Sequence, residues 1–185
     1  MNYTEALKLL CEYTQSESLR KHALAVEAAM RGYARKYGED EEKWGIVGLL
    51  HDFDYEKYGS SPDGHPAKGA EVLKAKGYPD DVIYAIKAHA NYLGLERKSL
   101  MDKALFAVDE LTGLITAVAL VRPSKSILDV KVSSVKKKLK DRRFAQAVSR
   151  EDIYEGAEAL GVEMDEHIDL VIKAMQEVAD NLGLN

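Results

Sequence analysis

Cysteine is almost missing from this chain: Cys11 is the only one in 185 residues. No internal disulfide can form, and a zinc site built on several thiolates is excluded. A lone thiol suits a reducing compartment, and Cys11 is expected to be a core residue. Long apolar runs are missing too. The longest candidate, residues 104–121, is interrupted by Asp109 and Glu110, so no window reaches the roughly 20 apolar residues that span a bilayer. The N-terminal residues 1–5 lack the basic start and apolar stretch of a signal peptide. Strand-like alternation is absent as well; Val130-Lys131-Val132 comes nearest and is too short. These absences lead us to expect an all-α cytoplasmic protein with no membrane partner.

What is present fits one globular domain. Hydrophobic residues make up 46% and charged residues 31%, enough to build a core without staples. No linker, repeat or low-complexity tract divides residues 1–185. The net charge of −5 argues against a nucleic-acid partner. The charge is uneven: residues 131–143 hold seven basic residues and one acid, while residues 151–180 hold ten acids and one lysine. The two stretches read as solvated helix faces that attract each other; the alternative is a basic patch that steers phosphorylated substrates.

Asn2-x-x-Glu5, Thr14-x-x-Glu17, Ser99-x-x-Asp102 and Ser149-x-x-Asp152 each resemble a capping box. Pro66 and Pro79 sit where helices begin; Gly38, Gly77, Gly94 and Gly161 sit where they stop. The pattern predicts helices over 3–13, 16–37, 41–51, 66–76, 79–92, 100–121, 126–140, 142–148, 150–160 and 165–182. The stripe Ile168, Ile172, Met175, Val178 and Leu182 is expected to pack on the core rather than on a second subunit. Residues 52–64, with their turn-rich 59–64, are the least helical stretch, and loops of this kind often carry sites.

His51-Asp52 closes the apolar run 44–50, and together they offer one neutral nitrogen and one anionic oxygen to a cation. His22 shares a helix face with Val26, Ala29, Met30 and Tyr33, so it points inward. Asp109 sits on a largely apolar helix, where a carboxylate is costly unless paired or bound to a metal. His65 precedes Pro66, and His89 lies near a helix end. Each residue alone has an ordinary structural reading: a core histidine on a carbonyl, a charge at a helix end, a buried salt bridge to a lysine or arginine. Of five histidines, only His167 stands outside the set.

The order His22, His51-Asp52, His65, His89, Asp109 resembles the HD superfamily of metal-dependent phosphohydrolases, which are all-α. The resemblance covers residues 16–121, an HD-like core, and leaves 122–185 as a helical extension without a motif. His65-Pro66 is similar to a His-Pro of the bacterial branch that hydrolyses dinucleoside polyphosphates. One departure is that the doublet continues as Phe53-Asp54, where many members have Ile-Gly and then a lysine; Lys57 is the nearest replacement. The resemblance implies one metal held by His22, His51, Asp52 and Asp109, and a second held by His65 and His89 with Asp52 bridging. Such nitrogen and carboxylate ligands suit one or two divalent ions of Fe, Mn, Co, Ni or Zn. It also implies hydrolysis of a phosphate ester or anhydride of a nucleotide or other small phosphorylated molecule by metal-activated hydroxide. Lys68, Arg122 and Lys125 are the candidate phosphate contacts, and Glu110 a weaker candidate for orienting water. The alternatives are a one-metal phosphomonoesterase and a non-catalytic binding module, which would have no need of all six ligands.

Overall fold

The structure, a computed structural model, describes residues 2–185. The first half folds into α1 (Tyr3–Tyr13), α2 (Glu17–Tyr37), α3 (Glu41–Leu50), α4 (Tyr55–Tyr58), α5 (Ala67–Ala75) and α6 (Asp80–Ala88). The second half adds α7 (Leu100–Leu120), α8 (Val132–Leu139), α9 (Arg150–Leu160), α10 (Met164–Gln176) and α11 (Ala179–Leu182). Among the described residues no strand forms, so the fold is all-α. None of these helices is long and apolar enough to cross a membrane.

Helix α7 is the central element. It buries residues around most of its circumference, from Met101 to Ala119, and packs against α2, α6, α8 and α9. A helix apolar on nearly every side belongs inside a domain. The Ser99–Asp102 capping box starts it, with both reciprocal bonds formed. The second long helix, α2, packs on α3, α7 and α10. Two glycines let backbones meet. A Cβ on Gly48 of α3 would lie 2.9 Å from Cα of Glu27 in α2, and one on Gly156 of α9 would lie 2.5 Å from Cα of Ala107 in α7. One apolar cluster runs from Ala6 to Leu184 and includes Ile168, Ile172, Met175 and Leu182, so the C-terminal stripe does pack on the core. The basic and acidic stretches also meet, through Lys136 and Asp165 at 2.5 Å.

Several local expectations need correction. Residues 142–148 are not a helix. The buried Arg150 guanidinium donates to the carbonyls of Asp141, Phe144, Ala145 and Val148, and the N–H groups of Phe144 and Val148 close only tight turns onto Asp141 and Ala145, so the stretch is held in turns and not in a helix. Ala145 adopts φ 45° in this loop. The expected 126–140 helix is broken at Val130 and Lys131, which are extended, because Ile127 is tied to Leu184 and Gln176 through backbone and side-chain bonds. The 165–182 helix is interrupted at Val178. The helix expected over 79–92 ends at Ala88. The turn at 55–58 is helical, which the loop composition concealed. Ser16, not Thr14, caps α2; Thr14 donates to the Phe53 carbonyl at 2.9 Å. Cys11 is exposed, because the buried face of α1 is Ala6, Leu9 and Leu10.

His167 is fully buried on α10. Its Nε2 lies 3.0 Å from the Ala107 carbonyl, which can only accept, so Nε2 carries the proton. Nδ1 then accepts from the Tyr33 hydroxyl at 2.5 Å. Burial holds this imidazole neutral and lowers its pKa from 6.5 to about 4. Between those values the unfolded chain binds the proton and the folded chain does not, so stability falls as pH falls from 6.5 toward 4. The shift corresponds to on the order of 3 kcal/mol. His167→Gln keeps a donor and an acceptor without titrating. Its stability relative to wild type, measured by urea midpoints, should therefore rise by on the order of 2–3 kcal/mol as pH drops through this window. A pH-independent difference would refute the assignment.

Candidate metal centre

Two helix ends and three other elements converge on one spot. His51 follows α3 and His89 follows α6. Each ring donates its Nδ1–H to the carbonyl three residues back, Gly48 O at 2.7 Å for His51 and Ile86 O for His89. Both carbonyls belong to helix C-termini, where backbone acceptors lack partners. The same local bond thus caps two helices and fixes two imidazoles with Nε2 pointing away from the helix. His65 is fixed by a side chain instead: its Nδ1 donates to Asp54 Oδ1 at 2.6 Å, and Asp54 Oδ2 accepts from Gly69 N–H at 2.6 Å. The Tyr92 hydroxyl donates to the His65 carbonyl. The N-terminal end of α2 is held by Glu56, which accepts from Gln15 N–H and Ser16 N–H at 2.6 and 3.1 Å. That contact seats His22 from the first turns of α2.

Asp52 sits between two groups of imidazoles. Its Oδ2 is 3.4 Å from His51 Nε2, while its Oδ1 is 3.0 Å from His65 Nε2 and 3.4 Å from His89 Nε2. Asp109 Oδ1 is 3.0 Å from His22 Nε2 and 3.4 Å from His51 Nε2. Two donor sets emerge, His22-His51-Asp52 and Asp52-His65-His89, with the ligand atoms of each within 4.8 Å of one another. Ligand atoms about 2.1 Å from one ion are about 3.0 Å apart at right angles and about 3.4 Å apart at the tetrahedral angle. The observed spacings match the edges of such polyhedra.

Electrostatics points the same way. Burial pulls His51 toward neutrality, but the carboxylates of Asp52 and Asp109 outweigh it and hold its pKa well above 6.5. For His65 burial is likewise overcome by Asp52 and Asp54, and its pKa rises to about 9. Burial works against ionised Asp52, yet the neighbouring imidazoles hold it far below the usual carboxylate range. Positive charge is thus what these carboxylates require. His51 Nε2 is buried and has no hydrogen-bond partner, a costly state for a polar atom unless a cation takes the lone pair. The residues fit a divalent metal.

The centre forms the floor of a cavity of about 460 Å³. Tyr55, Asn91 and Tyr92 wall one side, and Ala147 and Val148 of the Arg150-held loop wall another. Of the candidate residues, His22, Asp52, His65, His89 and Asp109 line it, with His51 buried beneath. The three candidate phosphate contacts do not line it. Lys68 is half-exposed and paired with Glu71 at 3.0 Å. Arg122 and Lys125 lie past the end of α7 at Leu120, which is itself 11 residues beyond Asp109, or about 16 Å along the helix. Lys57 lies over the Tyr13 ring. No lysine or arginine lines the cavity.

Sequence reasoning missed Asp54 and undervalued Glu110. Asp54 is fully buried beneath His65; its only sequence signal was its place in the departure Phe53-Asp54. Glu110 lines the cavity rather than the surface and accepts from Ser149 N–H at 3.0 Å. Burial, reinforced by the Asp109 charge, raises its pKa to about 7.

Asp54 generates a direct test. In Asp54→Asn an amide donor must face either the His65 ring N–H or the Gly69 N–H. Partners that orient a ligand in this way are worth about 10- to 100-fold in metal affinity. Chelator competition should show that loss for one of two ions, with helix content by circular dichroism unchanged. Unaltered affinity at both would show that Asp54 does not support a metal.

Comparison with known proteins agrees with this geometry. The HD domain family model matches residues 19–114. Ribonuclease Y of Desulfotalea psychrophila (strain LSv54 / DSM 12343) is 33% identical over 119 residues, covering 60% of this chain and 22% of that protein. Ribonuclease Y of Oleidesulfovibrio alaskensis (strain ATCC BAA-1058 / DSM 17464 / G20) is 29% identical over 115 residues, with the same coverage of 60% and 22%. The chain therefore spans about a fifth of the length of these curated relatives. No solved structure gives a significant match. The matched segment contains all six residues of the cluster, and by that match the chain belongs to the HD-domain superfamily of metal-dependent phosphohydrolases.

Proposed function

We propose that this chain hydrolyses a phosphate ester or anhydride of a small phosphorylated molecule, nucleotides included, at a two-metal centre. The observation that carries this reading is Asp52, whose two oxygens address separate histidine groups at the floor of an open cavity. In the proposed centre, His22, His51, Asp52 and Asp109 hold one divalent ion, and Asp52, His65 and His89 hold the other. When bound, such ions supply hydroxide near neutral pH and neutralise phosphoryl and leaving-group charge. The rest falls to the protein. Asp54 and the two helix-end carbonyls keep three imidazoles in the tautomer that ligates. Ser60 and Tyr55 line the cavity with hydroxyls that can orient substrate oxygens. No lysine or arginine lines the cavity, so His22, Asp52, His65, His89 and Asp109 would hold the ions, and neutralisation of a phosphoryl group would be chemistry supplied by those ions.

The relatives' name, ribonuclease, raises a second reading, cleavage of an RNA phosphodiester. A polyanion asks for basic groups along its track, and this cavity lacks them, so the small-molecule reading is favoured. An RNA oligonucleotide belongs in the substrate panel for that reason.

Elemental mass spectrometry on protein purified without chelator should give about two transition-metal ions per chain. Asp52→Ala should lose both ions and all phosphatase activity while keeping its helix content, because it removes the shared carboxylate. His89→Ala should lose about one ion. Full activity in Asp52→Ala would sink the mechanism; undiminished metal in His89→Ala would favour a one-metal phosphomonoesterase.

A further inference from the structure

A second cavity, of about 700 Å³, adjoins the first and shares three of its walls: Leu19, His22 and Gly113. It runs from the metal centre between α2 and α7 toward the C-terminal segment. Leu120, Leu182 and Leu184 line it, with Thr116 on the α7 side. Lys21, the one cation there, is already paired with Glu17 at 2.7 Å. The lining is therefore mostly apolar, and its lysine and glutamate are paired with each other at the rim.

Gly113 stands at the junction, one helical turn beyond Asp109. A Cβ placed on it would meet only Val148 Cγ2, at 3.7 Å, so packing does not require glycine there. Glycine inside a helix weakens it relative to alanine. Gly48 and Gly156 are forced by backbone contacts; Gly113 is not. Gly113 lines both cavities, and no side chain at that position stands between them.

We propose that the second cavity is the subsite for an apolar leaving group, with Gly113 as the gate; this rests on the phosphohydrolase reading. The substrate class is then a phosphate ester of an aliphatic or aromatic alcohol. Its phosphoryl group lies over Asp52 and Asp109, and its organic part passes His22 and Gly113 into the leucine-lined space. Hydrolysis breaks the phosphorus–oxygen bond to that group. Water oxygen goes to phosphorus, and a water proton ends on the departing alcohol.

Alkylphosphonates, which cannot be hydrolysed at their phosphorus–carbon bond, test this by calorimetry on the manganese-loaded protein. Affinity should rise about threefold per methylene, or about 30-fold from methyl- to butylphosphonate. Thr116→Trp, which fills the far chamber, should abolish the rise while changing methylphosphonate affinity less than about twofold. Gly113→Leu, at the gate, should also abolish the rise, and Gly113→Ala should keep it. Equal affinity for methyl- and butylphosphonate in wild type, with small phosphate esters still cleaved, overturns the subsite and leaves the phosphohydrolase reading standing. No phosphonate binding together with no cleavage of any phosphate ester overturns both.

Discussion

The backbone contact between α2 and α3 at Gly48 is the constraint on which the metal centre depends. The two helices run antiparallel, and contact there is close enough that a single Cβ would collide with the Glu27 main chain. From that pivot the chain needs only three residues forward to reach His51 and five back to reach His22, whose rings lie 5.1 Å apart. The Gly48 carbonyl also takes the His51 ring proton. One glycine thus sets the separation of two ligands and the orientation of one of them. Arg31 extends the contact, laying its guanidinium along Gly45 and bonding Glu27 at 2.9 Å.

Around this pivot the protein gathers charge where its fold is most apolar. Leu49, Leu50, Phe53 and Val108 are fully buried beside the residues of the centre in sequence. In such surroundings a carboxylate persists only beside a positive partner. Asp52, Asp54 and Asp109 each have an imidazole for a neighbour, and three of the four imidazoles have spent their other nitrogen on a fixed acceptor. The arrangement is rigid in its nitrogens and demanding in its charge, which is the condition a divalent cation satisfies.

Much of this was legible in the sequence because it rested on local rules. The long helices α2 and α7 follow from their apolar faces, the start of α7 from Ser99, and the stops of α2, α5 and α9 from Gly38, Gly77 and Gly161, each with positive φ. The six-residue order was readable through its resemblance to the HD superfamily, which each residue taken singly did not suggest. What was not legible depended on partners distant in sequence. Asp54 looked like a loop acid because its second partner, Gly69, lies 15 residues on. Glu110 looked like a surface acid because the N–H it accepts, that of Ser149, lies 39 residues away. The 142–148 stretch has helical composition, and its carbonyls are held instead by the guanidinium of Arg150 and by a backbone turn. Lys68, Arg122 and Lys125 were plausible by charge alone, and charge does not say where a helix points its side chains.

That guanidinium has a consequence for how such a protein can change. Arg150 grips main-chain oxygens, which every amino acid carries, so the backbone path of the wall does not depend on the side chain of Ala147. Identity matters at Ala145, where the backbone turns with φ 45°, and at Phe144 and Val148, which pack against the core. A reaction centre that tolerates almost no substitution therefore borders a rim position that tolerates many. Preference for one molecule over another can drift there by single mutations, each neutral to folding, while the chemistry beneath stays fixed.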